Sequence, residues 1–150
     1  INGTWYKWWI NLKLHHVGIV VKNINESLGE IKQFLDFEKT TIPTLIGSQK
    51  VNTCFLKTGD IYIELIEPAV ENSPVSDFVK DGGGFHHLCF EVDDINRKVN
   101  ELRDKGGIVL SPPVPTTGWE KLGFENRLAS FIYLDDLPFK LIEIISRHNS

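Results

Sequence analysis

Leu14-His15-His16-Val17-Gly18-Ile19-Val20-Val21-Lys22-Asn23-Ile24-Asn25 and Phe85-His86-His87-Leu88-Cys89-Phe90-Glu91-Val92-Asp93-Asp94-Ile95-Asn96 align without a gap at an offset of 71, 87 less 16. A His-His pair falls at the same place in both, and apolar positions match apolar positions. Each segment opens as a strand. Val17, Ile19 and Val21 alternate with His16, Gly18 and Val20, and Leu88, Phe90 and Val92 alternate with His87, Cys89 and Glu91. Period-two alternation sends the two sets to opposite faces of a sheet. The apolar set is expected under a helix, and the histidine set on the other face.

A helix follows each strand. Asn25 is read as an N-cap ahead of a stripe of Ile24, Leu28, Ile31 and Leu35, and Asp94 ahead of Ile95, Val99 and Leu102. Gly106-Gly107 suits the second helix's C-terminus. Strand-like runs come next. Val51–Lys57 and Ile61–Glu67 are joined by Thr58-Gly59-Asp60, and Ala129–Leu134 and Phe139–Ile145 by Asp135-Asp136-Leu137-Pro138. The closing strands align as Ile63-Glu64-Leu65-Ile66 on Ile142-Glu143-Ile144-Ile145 at an offset of 79. The second copy has therefore gained residues, and Pro112–Asn126 is where the gain is expected. The pattern predicts an α+β domain of two βαβββ modules, about 14–68 and 85–146, within a domain over 14–146. Between the modules, Ser73-Pro74 reads as a helix start with proline at its first position, and Val75, Phe78 and Val79 as its apolar side.

Composition limits what such a domain does. The chain has 150 residues, 41% hydrophobic and 24% charged, which fits one globular domain. A net charge of −4 carries no nucleic-acid footprint. No apolar run reaches the roughly 20 residues of a membrane helix. Cys54 and Cys89 form no CxxC pair and fit buried thiols in a reducing, cytoplasmic setting. Residues 1–13, with Trp5, Tyr6, Trp8 and Trp9, are expected to be an additional N-terminal segment packed on the domain.

Each module offers one strand histidine and one strand glutamate: His16 with Glu64, and His87 with Glu143. A carboxylate inside an apolar strand is costly unless paired, protonated, exposed or metal-bound. The same placement in both copies points to one shared cause. If a pseudo-twofold axis relates the modules, the four side chains converge. Two imidazoles and two carboxylates then suit a divalent metal such as Ni, Zn, Co, Fe or Mn, with positions left for substrate oxygens. His15 and His86 have the opposite parity and are expected away from that site.

These residues resemble the vicinal oxygen chelate (glyoxalase/bleomycin resistance/dioxygenase) superfamily, in particular its methylmalonyl-CoA epimerase-like and glyoxalase I-like members. The segments that carry the likeness are His15–Val21, Gly59–Pro68, Asn72–Val75 with Phe78, His86–Leu88 through Val92–Ile95, and Leu141–Ile144. The resemblance implies an eight-stranded, incompletely closed sheet around a cleft, with His16, Glu64, His87 and Glu143 as metal ligands. It implies a lyase, isomerase or epimerase that moves a proton next to a carbonyl while the metal stabilises the enolate. Glu143, with Glu64, is then the expected acid–base group. Some epimerases of this kind carry a second basic glutamate after the first helix. The corresponding position here is read as Thr53, and the loop Thr116–Asn126 is longer and bulkier than the family's. Tyr62, Trp119, Phe124, Arg127 and Tyr133 are candidate contacts for a small-molecule substrate, and a homodimer is expected. Two other activities share the scaffold: a non-haem iron dioxygenase, and a non-enzymatic binder of antibiotic-like molecules.

Overall fold

The computed structural model describes residues 12–147. The expectation for the Trp-rich start, residues 1–13, lies outside them but for Leu12 and Lys13, and Lys13 opens the first strand. The chain divides into two compact units. One holds His16–His86 with Thr117–Glu125. The other holds residues 12–15, His87–Thr116 and residues 126–147.

In the first unit the strand order is β2 (Lys39–Thr40), β4 (Val51–Thr58), β5 (Ile61–Pro68), β1 (Lys13–Val20), with β3 (Thr44–Ile46) also on β4. β1 is parallel to β5, as the crossover through α1 (Ile24–Lys32) requires. β4 and β5 form a tight antiparallel hairpin closed by Gly59-Asp60, with Gly59 at φ 60°. α1 lays Ile24 and Leu28 on Cys54, Leu56 and Leu65, all buried, with Ile19, Val21 and Ile63 packed around them. This is the apolar face predicted by alternation.

In the second unit the order is β6 (Gly84–Val92), β10 (Leu141–Ser146), β9 (Leu128–Tyr133), β7 (Ile108–Val109), with β8 (Val114–Pro115) also on β9. β6 and β10 are parallel and β10 and β9 antiparallel. α3 (Ile95–Asp104) packs Ile95 and Val99 on Val92, Ile132, Ile142 and Ile144. Neither run of strands closes on itself into a barrel.

Among the described residues ten strands stand where eight are expected, and the reason is local. The strand after each helix is broken in two. Pro43 interrupts β2 and β3, and Pro112-Pro113 interrupts β7 and β8. Proline has no N–H to give a ladder, so pairing stops and restarts around it.

Three local expectations are corrected. The first helix is capped by Asn23 rather than Asn25: its Oδ1 accepts the Glu26 N–H at 2.9 Å, which leaves fully buried Ile24 inside the helix. That helix ends at Lys32, so Leu35 lies beyond it and is 58% exposed. The linker helix α2 (Ser76–Lys80) starts later than Ser73-Pro74. Ser73 accepts the Ser76 N–H through its carbonyl, forming a turn ahead of the helix. Asp94 caps α3 as expected, accepting the Arg97 N–H at 3.0 Å.

Candidate active site

The helix-free face of the first unit carries His16, Gly18 and Val20 from β1, Tyr62, Glu64 and Ile66 from β5, and Thr53 and Phe55 from β4. The registers His16↔Tyr62, Gly18↔Glu64 and Phe55↔Glu64 put them side by side. Glu64 stands across from Gly18 of β1, so no side chain directly opposite it on that strand fills the space that the His16 ring reaches into. His16 Nε2 lies 3.2 Å from Glu64 Oε1, and the histidine is fully buried. The other carboxylate oxygen, Oε2, accepts a 2.7 Å hydrogen bond from Thr53 Oγ1.

The second unit repeats the arrangement. β6 supplies His87, Cys89 and Glu91 to one face, β10 supplies Glu143 and Ile145, and β9 supplies Ala129 and Phe131. His87 Nε2 lies 3.3 Å from Glu143 Oε1, with both side chains buried. Phe131 meets His87 edge-on at 5.4 Å between ring centres, as Phe55 meets His16 at 5.3 Å. In both copies a phenylalanine directly opposite the glutamate walls off its histidine.

Each pair fits one edge of a metal's coordination shell. Two ligands at about 2.1 Å from a metal bring their donor atoms roughly 3.0–3.4 Å apart in octahedral or tetrahedral geometry. The Nε2–Oε1 separations of 3.2 and 3.3 Å fall in that span. Imidazole nitrogen and carboxylate oxygen are also the donor types that borderline divalent metals accept.

The sequence model of the Glyoxalase/Bleomycin resistance protein/Dioxygenase superfamily matches residues 15–123, most of the chain. The chain belongs to this superfamily. Among curated relatives within it, the mitochondrial methylmalonyl-CoA epimerase of Bos taurus is 29% identical over 134 residues, 88% of this chain and 73% of that protein. The ethylmalonyl-CoA/methylmalonyl-CoA epimerase of Cereibacter sphaeroides is 28% identical over 88% of this chain and 96% of its own length. A hypothetical protein of Bacillus halodurans, BH1468, superposes with a TM-score of 0.78 at 28% identity, over 93% of this chain and 96% of that one. A methylmalonyl-CoA epimerase solved with methylmalonyl-CoA and NH4+ superposes with a TM-score of 0.72 at 26% identity, over 91% and 94%.

The aromatic candidates divide by unit. Tyr62, Trp119 and Phe124 gather around Phe55, with ring centres 6.0, 5.9 and 4.9 Å from it, and Trp119 also reaches His16 at 6.3 Å. Trp119 is only 3% exposed. The bulky loop thus belongs with the first module's face although it follows the second module's helix in sequence. Gly118 and Gly123 bracket its short 3-10 turn, Trp119–Leu122, at φ 108° and 85°.

Arg127 and Tyr133 sit elsewhere, in the second unit. Arg127 Nη1 lies 3.2 Å from Glu91 Oε1 and donates to the Ser146 carbonyl at 3.4 Å. Its Nε is buried with no hydrogen-bond partner. The Tyr133 hydroxyl donates to Asp135 at 3.0 Å, on the exposed β9–β10 turn beside Lys140. That hydrogen bond pushes the Tyr133 phenol above its ordinary range and, with Lys140, holds Asp135 below the usual carboxylate range. His15 is not held away as its parity suggests: it is buried, with a ring nitrogen within 4.8 Å of the Cys89 sulfur. His86 stacks edge-on against Phe78 at 5.2 Å.

Sequence reading alone missed Thr53 as a donor, Phe55 as the hub of the ring cluster, and Glu91 as the partner of Arg127. The first two were within reach. A two-residue turn at Gly59-Asp60 dictates Phe55↔Glu64 and sets Thr53 diagonally beside that carboxylate.

Proposed function

We propose that this chain is a metal-dependent epimerase that moves a proton at the carbon next to a thioester carbonyl, as the names of its methylmalonyl-CoA epimerase relatives indicate for them. The observation that carries the reading is the duplicated His–Glu pair, at 3.2 Å in one copy and 3.3 Å in the other. His16, Glu64, His87 and Glu143 together hold one divalent cation of the Ni, Zn, Co, Fe or Mn class. Four buried ionisable side chains in two matched pairs need a compensating charge, and a shared cation supplies it. Such a cation, when bound, stabilises negative charge on a carbonyl oxygen.

The chain's own residues do the remainder. Glu143 takes the proton from one face of the carbon next to the carbonyl as general base, and inversion follows when solvent water protonates the enolate on the opposite face; in the reverse direction Glu143 is the general acid. Phe55, Trp119, Phe124 and Tyr62 exclude water beside His16, which strengthens the electrostatics around the pair. Arg127 offers positive charge to an acidic substrate group.

The test is hydrogen exchange. In D2O the metal-loaded protein incorporates deuterium at C2 of methylmalonyl-CoA, read by mass spectrometry, and Glu143→Ala slows this by about 10²–10⁴-fold while the fold is retained. A metal-loaded wild type that exchanges neither methylmalonyl-CoA nor ethylmalonyl-CoA above the buffer rate sinks the reading.

A further inference from the structure

The two copies are not equivalent around their glutamates. In the first, Phe55 stands opposite Glu64 and Thr53 opposite Ile66. In the second, Phe131 stands opposite Glu143 and Ala129 opposite Ile145. Phe55 therefore corresponds to Phe131, and Thr53 to Ala129. The phenylalanines are kept and the hydroxyl is not. Thr53 is fully buried, and its Oγ1 donates to Glu64 Oε2 at 2.7 Å, within the range of a short bond to a charged acceptor. Glu64 Oε1 is the oxygen that faces His16 Nε2. The methyl group of Ala129 has no proton to donate at the matching place.

We propose that Thr53 is a positioning residue. By occupying Oε2 it fixes the Glu64 carboxylate in one rotamer, with Oε1 alone presented for ligation. Glu64 is thereby a static, one-oxygen ligand, and the second copy, with Ala129 in place of the threonine, omits this clamp. The choice between valine and threonine here is a choice of one hydroxyl, since the two side chains have nearly the same shape. A hydroxyl that orients a ligand acts on metal affinity, and losing such an outer partner typically weakens it 10–100-fold.

This inference rests on the metal reading above, and its test separates the two. The full chain, stripped with chelator, is titrated with Co2+ by calorimetry and by the visible absorption of the bound ion. Wild type, Thr53→Val and Thr53→Ser are compared, and the thermal unfolding of each metal-free protein is recorded alongside. Expected are tight binding by wild type, a 10–100-fold loss in Thr53→Val with an altered cobalt spectrum, and rescue to within about threefold in Thr53→Ser. Should Thr53→Val fail to fold, Thr53→Ala removes the same hydroxyl without the branched bulk and carries the comparison. If wild type binds Co2+ and the hydroxyl-free variant binds equally tightly with an unchanged spectrum, the role of Thr53 is overturned while the metal site stands. That result with lowered stability of the metal-free protein marks a merely structural threonine. A wild type that binds no Co2+ overturns both proposals.

Discussion

At the scale of single residues, the pleat decides which groups meet water and which do not. Cys54 shares the helix face with Leu56 and is fully buried, and its Sγ donates to the Thr41 carbonyl at 3.1 Å. Burial pushes its thiol up, outweighing the opposing hydrogen bond from Thr41 and the charge of Lys32. A raised pKa means less thiolate, and the thiolate is the nucleophile. Cys89 is equally inaccessible. In the native protein at mildly alkaline pH, neither thiol is expected to react with Ellman's reagent over minutes. After unfolding in guanidinium both of the chain's two cysteines react. Rapid modification of one thiol per folded chain is the result that contradicts this packing.

At the scale of elements, helix starts and one loop approach set the entry angles of the strands that carry the site. Asn23 and Asp94 each satisfy an otherwise orphaned N–H at the head of α1 and α3. Asn23→Ala and Asp94→Ala are each expected to cost about 1 kcal/mol in urea unfolding, with the slope unchanged. Gly83 is a harsher position. Its φ of 71° is left-handed, and a Cβ there stands 2.6 Å from the Val20 carbonyl oxygen at the end of β1. Gly83→Ala pays for both the conformation and the collision, so a loss of more than about 2 kcal/mol is expected. A cost no larger than that of the caps shows that the backbone relaxes freely there. The broken strands follow the same local logic: proline at 43 and at 112–113 removes ladder donors, and the edge splits.

At the scale of the whole molecule, duplication has two consequences. Two copies of one module halve the problem of building two hydrophobic cores, since the same alternation seats α1 on one sheet run and α3 on the other. It also doubles the His–Glu pair. If the pairs share one cation, folding and metal binding are linked. A divalent ion at a hundredfold excess over its Kd then adds about 2.7 kcal/mol to stability. For a chain of this size that raises the unfolding midpoint by about 5–10 °C in scanning fluorimetry. The rise is expected to vanish in a Glu64→Ala/Glu143→Ala variant. A midpoint indifferent to Ni, Zn, Co, Fe and Mn alike contradicts the shared site.

The repeat, the alternating faces, the duplicated histidine and glutamate, and the superfamily were legible in the chain itself. They are carried by short-range periodicity and by a pattern that occurs twice, and no long-range contact is needed to see them. Contacts between distant segments were not legible in this way. That Trp119 and Phe124 pack on Phe55, and that Arg127 pairs with Glu91 and the Ser146 carbonyl, follow from strand register and loop closure. Register is a property of paired strands, and where a long loop lands is a balance of burial against closure entropy over the whole fold. Local sequence therefore settled which residues alternate onto one sheet face, and only tertiary packing decided which of them touch.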